Sequence, residues 1–522
     1  MRLVPLTASN ARLRLSNSGC AALENDQNRF WRGRPFASIF QVRQTARGNN
    51  MKRQAGVACC ALLLAFAADA QQMFVDNFES GIAPQFPLVG GVFQLPPGPA
   101  TTQLNWVLAE LAAGETTTID EINAHFDAAW LAQNNAAQTQ TFINSVRTSY
   151  PNASVTDVVT FTPHRLVLVI DSPGSPPPSG YMVFGTRYAA GQKIVQFGVS
   201  GYGGSVQFPA DQSLTLTQAA DKFTTLSALP SLMVGRIGAN GSCSVTVDRG
   251  ASTVRATGSV FKLWVLGGAA RAVVDGTLSE FDTLPLVASE LAQGGVINSE
   301  PLGTLFPVKD LATLMLGISD NTATDLLHER VGRTLMNQMP AAFGMAQPTL
   351  LTPFLGINEQ FHLFYSFPLV DSQSYIAGDD AFQNNFLNTR IVPLGPVTTT
   401  PFFHSSLLVD GSWRASPLDI CAAFSALRRL PRGSEAMRMA DRALSASAAQ
   451  PDVRGDWDRV WYKGGSLSSG AGFHVLVHAW LLEDAGQDPY VVVAMSNSNT
   501  GGIDQFNVQS VTGRILELLS QL

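Results

Sequence analysis

Gly258-Ser259-Val260-Phe261-Lys262, running on through LWVLGGAARAVV to Val274, is the stretch on which the reading of this chain turns. It opens an apolar helical run, and on a helix positions i and i+3 share a face, so the Lys262 amine lies within reach of the Ser259 hydroxyl. Serine is a weak nucleophile until a neighbour accepts its proton, and a desolvated lysine of lowered pKa can do so. By itself S-x-x-K recurs by chance, and on this motif alone a plain helix N-cap serine is the preferred explanation.

Two further motifs follow in order. Ser319-Asp320-Asn321 stands between the helical runs KDLATLMLGI and TATDLLHERV, where small polar residues ordinarily serve as caps. Lys463-Gly464-Gly465-Ser466 follows the strand-like RVWY. Paired glycines beside a lysine allow close approach of backbone and substrate at a strand edge, and a simple turn is the alternative. Ser259 and Ser319 are 60 residues apart, and Ser319 and Lys463 are 144 apart.

Each motif is weak, but S-x-x-K, S-D-N and K-T-G in this order are the set shared by class A β-lactamases and penicillin-binding proteins. The chain resembles that family of serine hydrolases, although the second interval is longer than is usual there. The resemblance implies that Ser259 is the acylated nucleophile, Lys262 its activating partner and Ser319 the proton relay to the leaving group. Asn321 would orient Lys262 or a substrate amide, and Lys463 would supply positive charge for a substrate carboxylate. Backbone N–H groups of Ser259 and Ser466 would form the oxyanion hole. Gly465 is read as replacing the Thr or Ser of K-T-G, removing a hydroxyl that binds such a carboxylate.

The family's deacylating glutamate, in E-x-x-L-N, has no counterpart. Glu359, in PFLGINEQFHLF, is the nearest carboxylate by position and reads as a solvated helix residue, while Asp379 and Asp380 read as a polar loop. The segments GSVFKLWVLGGAARAV, MLGISDNTATDLL and PFLGINEQF, preceded by a separate α+β unit, are similar to the clavulanic-acid-cluster esterase-like proteins. Those carry a small cyclase/isomerase-like N-terminal domain on a class A β-lactamase fold. The implied fold is a small α+β domain followed by an antiparallel sheet flanked by helices. No cofactor is implied, and the partner is a small molecule, a β-lactam or an acyl ester. A D-Ala-D-Ala peptidase and a noncatalytic ligand-binding protein remain as alternatives.

The chain has 522 residues, 45% hydrophobic and 14% charged, with a net charge of −6. That length accommodates two or three domains. Residues 1–70 hold ten Lys/Arg and three Asp/Glu, so the remainder carries 24 against 37, a net −13. An acidic body without basic runs argues against nucleic acid or anionic lipid as the main partner. From Met51 the chain reads MKRQ, a short apolar run, then Ala68-Asp69-Ala70 before Gln71. This is the succession of a secretory signal peptide, and a run this short does not span a bilayer comfortably. Residues 1–50 accordingly read as an extension upstream of the true start, 51–70 as the signal, and the protein as secreted or periplasmic.

Residues 71–100 read as a Gly/Pro-rich lead-in and 101–210 as the α+β accessory domain. Helices are expected over 104–112, 119–132 and 139–148, and strands over 155–161, 165–170, 181–188 and 193–198. Residues 211–522 read as the catalytic domain, with strands near both ends (231–237, 243–248, 473–481, 490–495) and helices between, which predicts a sheet assembled from the domain's two termini. Of the cysteines beyond the signal, Cys243 and Cys421 read as unpaired. No G-x-S-x-G elbow is present, which disfavours an α/β-hydrolase. The seven histidines, at 125, 164, 328, 362, 404, 474 and 478, contain no zinc-binding spacing. No metal site is expected.

Overall fold

A computed structural model describes residues 86–90, 92–174, 179–189, 191–202 and 207–522. The expected extension, the signal peptide and most of the lead-in lie outside the described residues. Among those described, no helix is long and apolar enough to cross a membrane.

The N-terminal unit begins with helices α1 (Pro99–Glu110), α2 (Ile119–His125), α3 (Ala128–Leu131) and α4 (Ala136–Ser149). Strands β1 (Ser154–Phe161), β2 (Arg165–Asp171), β3 (Ser179–Thr186) and β4 (Ile194–Tyr202) follow. The expected helix over 119–132 is broken because Phe126 turns extended and Asp127 caps a new helix, accepting from Ala129 N. The strands form an antiparallel meander in the order β1-β2-β3-β4. Leu104, Val107, Leu111, Ile143 and Val146 pack on Leu166, Leu168, Ile170, Met182 and Phe184, the 3.6-residue stripe of the helices meeting the two-residue alternation of the strands.

The remaining elements are α5 (Leu216–Phe223), β5 (Leu229–Ile237), β6 (Cys243–Arg249), α6 (Lys262–Val274), α7 (Val308–Gly317), α8 (Asn321–Val331), α9 (Ile357–Tyr365), α10 (Leu369–Ala377), α11 (Asp380–Phe386), α12 (Pro417–Arg428), α13 (Glu435–Leu444), β7 (Arg459–Ser469), β8 (Gly472–Glu483), β9 (Tyr490–Asn497) and α14 (Gln505–Ser520). The sheet order is β7-β8-β9-β5-β6, antiparallel throughout. The sheet is thus assembled from both ends of the segment, as expected. Its inner face (Met233, Val475, Val477, Val491, Val493) packs on α6, α7, α12 and α13. The outer face (Leu232, Val234, Trp480, Val492) packs on α5 and α14. Covering on both faces explains why β9 is buried at every position and reads as an unbroken apolar run.

Two features were not expected. Cys243 and Cys421 are joined in a disulfide, with Cα atoms 6.3 Å apart, which corrects the unpaired reading. Helix α12 packs across β5 and β6 and brings Cys421 to the start of β6, a meeting that 178 residues of intervening sequence do not announce. The edge of the N-terminal sheet is also completed by the C-terminal half. Phe161 N donates to Ala446 O, and Ala448 N to Val159 O, each at 2.8 Å.

Candidate active site

Ser259 lies in the 3-10 turn Gly258–Phe261 that leads into α6, and it is partly exposed. The preceding glycine is required. Gly258 has φ +48°, and a Cβ there would lie 2.8 Å from Ser466 N. Behind the turn, Phe261 stacks on Trp413 at 3.9 Å, and Thr257 N donates to Trp413 O at 2.9 Å. Nothing in the sequence singles out Trp413, because it reaches the turn from more than 150 residues away.

Helix α6 is buried on nearly every side, so Lys262 at its first turn is fully enclosed. Its amine donates to Ser319 O at 2.7 Å, Ser319 Oγ at 3.1 Å and Asn321 Oδ1 at 2.8 Å. None of these three bonds goes to Ser259 Oγ; the amine instead ties the helix to the S-D-N turn. Burial pulls its pKa from 10.5 to about 7, against the opposing pull of Asp320 and Asp325. The lowered pKa brings the neutral amine, with the lone pair a proton acceptor needs, within reach of neutral pH.

The S-D-N turn joins α7 to α8. Ser319 adopts a left-handed backbone at φ +58°, uncommon for serine and held here by its neighbours. Asp320 caps α8 through Ala323 N at 2.8 Å and also accepts from Val296 N at 2.7 Å and Ile297 N at 3.0 Å. Its pKa is raised by burial, while these N–H groups and Lys262 draw it back. Asn321 donates to Gln293 O at 2.6 Å, which aims its Oδ1 at Lys262. Ser319 and Asn321 therefore address Lys262 directly, whereas Asp320 is the structural member.

Lys463 and Gly464-Gly465-Ser466 lie within the edge strand β7, rather than just after a strand or in a turn. Lys463 is buried and donates to Gly464 O at 2.8 Å, not to Ser319. Burial and then the charge of Lys262 hold its pKa well below the ordinary lysine value. A Cβ at Gly465 would lie 2.1 Å from Thr257 O and 2.9 Å from Ser259 N, so no side chain fits there. K-T-G set on Lys463-Gly464-Gly465 puts the Thr position at Gly464, which corrects the assignment of the missing hydroxyl to Gly465; at Gly464 the Tyr462 hydroxyl, bonded to His478 Nδ1 at 2.8 Å, lies 2.2 Å from where a Cβ would be. The turn and the strand thus pack closely, a Cβ at Gly465 lying 2.9 Å from Ser259 N and one at Gly258 lying 2.8 Å from Ser466 N.

The sequence reading missed Asp325. It lies four residues after Asn321, on the same face of α8, and that spacing was the available signal. Its carboxylate accepts from Ile357 N at 2.6 Å, and from Asn358 N and Nδ2 at 3.0 Å each. It thereby fixes the start of α9, and burial raises its pKa to about 7. Glu359 is not solvated: it pairs with Arg333 and accepts from Gly356 N at 2.8 Å, with its side chain 16% exposed. Asp379 caps α11 through Phe382 N, and Asp380 lies exposed in the first turn of that helix. The histidines are held apart. His125 stacks on Trp106, His164 bonds Thr186, and His474 and His478 lie on β8. Among the described residues, no cluster of three His, Cys, Asp or Glu side chains could hold a metal.

Residues 239–380 match the model of a family described as the beta-lactamase enzyme family. That span contains S-x-x-K and S-D-N but not Lys463. A search of curated proteins finds no match. Among solved structures, a β-lactamase from Sphaerobacter thermophilus DSM 20745 is similar at 18% identity and a TM-score of 0.41, over 59% of this chain and 97% of that one. A β-lactamase from Chitinophaga pinensis DSM 2588 is similar at 13% identity and a TM-score of 0.40, over 58% and 97%. The structure of PBP-A is similar at 16% identity and a TM-score of 0.38, over 58% and 96%. Similarity at this level leaves the chemistry to be argued from the site.

Proposed function

We propose that this protein is an exported serine hydrolase that works through an acyl-enzyme on Ser259, acting on β-lactams, short-chain acyl esters or both. The observation that carries the proposal is the environment of Lys262: an enclosed amine with a pKa near 7, bonded to Ser319 and Asn321 one helical turn from Ser259. In this reading Ser259 Oγ attacks the acyl carbonyl while its proton passes to Lys262. Charge on the carbonyl oxygen is met by the N–H groups of Ser259 and Ser466. The bond to the leaving group breaks as Ser319 delivers its proton to it and takes in turn the proton held by Lys262, 3.1 Å away, so that both return to their starting forms; water then resolves the Ser259 ester.

The carboxylates near this site are committed to other partners: Glu359 to Arg333, and Asp320 and Asp325 to backbone N–H groups. That supports slow hydrolysis of a bulky ring-opened penicillin and faster turnover of small esters. It agrees with the likeness to clavulanic-acid-cluster esterase-like proteins, which lack the same glutamate. Labelling with a fluorescent penicillin or a fluorophosphonate tests the nucleophile. A label on the native protein that is absent from Ser259→Ala is expected, and no label on either would leave a ligand-binding protein. Turnover measured across penicillins, short esters and D-Ala-D-Ala peptides separates esterase from β-lactamase and peptidase. Export predicts a mature N-terminus at or near Gln71, read by N-terminal sequencing; a start within residues 1–50 would contradict it.

A further inference from the structure

We propose that the aromatic face of α9, extended by Phe403, is the subsite for the acyl group of the substrate. It selects esters whose acyl part is an apolar chain or ring, of butyryl to phenylacetyl size, over acetyl esters. The proposal rests on the acyl-transfer reading above and adds the class of acyl group to it.

Helix α9 is tied to the segments that carry all three motifs. At its start, Asp325, one turn after Asn321 on α8, accepts from Ile357 N at 2.6 Å and Asn358 N at 3.0 Å. In its middle, Gln360 Nε2 donates to Gly411 O at 2.9 Å, which holds the helix to the segment that follows the short helix Leu407–Asp410. That segment runs beside the chain leading into the Ser259 turn. Ala415 pairs with Arg255 and Arg414 with Ala256, and Trp413 O accepts from Thr257 N at 2.9 Å. Towards the end of α9, Phe361, Phe364 and Tyr365 join one apolar cluster with Leu407, Leu408 and Leu467. Leu467 follows Ser466 directly on β7. The helix therefore reaches from the S-D-N helix to the strand position next to Ser466, and is bonded on the way to the segment that backs Ser259.

The face it presents is aromatic and partly open. Positions 361 and 365 are i, i+4 on the helix. The Phe361 ring meets that of Tyr365 edge-on at 5.8 Å, and Tyr365 in turn stacks on Phe403 at 5.6 Å with the planes 16° apart. Phe364 is fully buried behind them, Phe361 and Tyr365 are half-buried, and Phe402 and Phe403 are 39% and 45% exposed. The backbone fixes Phe403 in place from both sides, Phe402 N donating to Tyr365 O at 3.0 Å and His404 N to Phe364 O at 3.1 Å. Rings pinned in this way form a standing apolar surface, and such a surface beside a reactive group suits an apolar ligand. The covalent step is the one already given: the acyl carbon bonds to Ser259 Oγ, and the leaving oxygen departs with the proton from Ser319. With the carbonyl oxygen on Ser259 N and Ser466 N, the substituent on the acyl carbon is set against Leu467, and the rings continue from there. Acetyl is too short to reach them, whereas a butyryl or phenylacetyl group keeps the contact through the transition state, which raises kcat/KM.

The test measures kcat/KM of the full chain for p-nitrophenyl acetate, butyrate and phenylacetate, and repeats the series in Phe361→Ala and Phe403→Ser. The native protein should favour butyrate and phenylacetate over acetate by about tenfold or more, the scale of discrimination that one methylene brings in an apolar site. In each variant the phenylacetate-to-acetate ratio should fall by at least about fivefold. Where Phe361→Ala does not fold, Phe403→Ser, at an exposed position, carries the test. A native protein without acyl preference, or variants that slow all three esters by one factor, would overturn the proposal. A dimer that dissociates in Phe403→Ser while the acyl preference stays would assign the rings to a second copy and overturn it as well. If no ester acylates Ser259, the acyl-transfer reading fails. Saturation-transfer NMR of methyl phenylacetate on Ser259→Ala, with and without Phe403→Ser, then still decides the subsite: contact with the ligand that the second substitution removes supports it, and no contact in either protein overturns it.

Discussion

Replacing Lys262 by Met should abolish acylation and change the stability of the folded protein relative to the native one by an amount that depends on pH. In the unfolded chain this amine titrates near 10.5, and in the folded protein burial brings it to about 7. Above about pH 10.5 both states are neutral and the group contributes no pH dependence. As the pH falls from there towards 7, the unfolded chain takes up a proton that the native site refuses, so native stability declines; below about 7 both states are protonated and the cost is constant. Between about pH 9 and about pH 6 the decline amounts to roughly 2–3 kcal/mol. Met is close in size and carries no charge, so its stability relative to the native protein should rise by that amount as the pH falls over the interval. Relief of Lys463, whose pKa Lys262 helps to hold down, works in the same direction. Urea unfolding followed by tryptophan fluorescence at a series of pH values measures the difference, and subtraction cancels the titrating groups that do not interact with Lys262. Parallel stability curves for the two proteins between about pH 6 and pH 9 would refute the claim that Lys262 is a desolvated, neutralised amine.

The other predictions concern the nucleophile, the strand contact, the missing base and the disulfide. Ser259→Ala should leave the fold intact and remove acyl transfer; more than a few per cent residual turnover would place the nucleophile elsewhere. Gly465→Ala drives a Cβ to 2.1 Å from Thr257 O, so the turn carrying Ser259 must shift, and acylation should fall by about 10²–10³, the loss typical of a displaced oxyanion donor. Glu359→Gln breaks the pair with Arg333 and should lower the melting temperature while changing ester turnover by less than about tenfold, short of the 10²–10⁴ of a lost general base. Rapid penicillin turnover that collapses in this variant would show instead that Glu359 activates the water. Cys421→Ala opens the link to Cys243 across 178 residues and should cost about 3–5 kcal/mol of unfolding free energy in urea titrations.

The sequence alone determined the members of the site and the outline of the sheet. S-x-x-K is legible because i and i+3 share a helix face, S-D-N because a helix start favours a capping acid, and the glycines after Lys463 because only a residue without a side chain tolerates close backbone contact. These are local constraints, written within a turn or two of chain, as are the alternating and continuous apolar runs that became the strands. The tertiary structure decided what lies between distant segments. It joined Cys243 to Cys421 and brought Trp413 behind Phe261. It also turned Glu359 from a solvated acid into the partner of Arg333 and made Asp325 the anchor of α9. Apart from the i, i+4 spacing of Asp325 from Asn321, these have no local signature, because each depends on the register of strands and the packing of helices that meet only when the chain has folded, and it is there that burial lowers the pKa of Lys262.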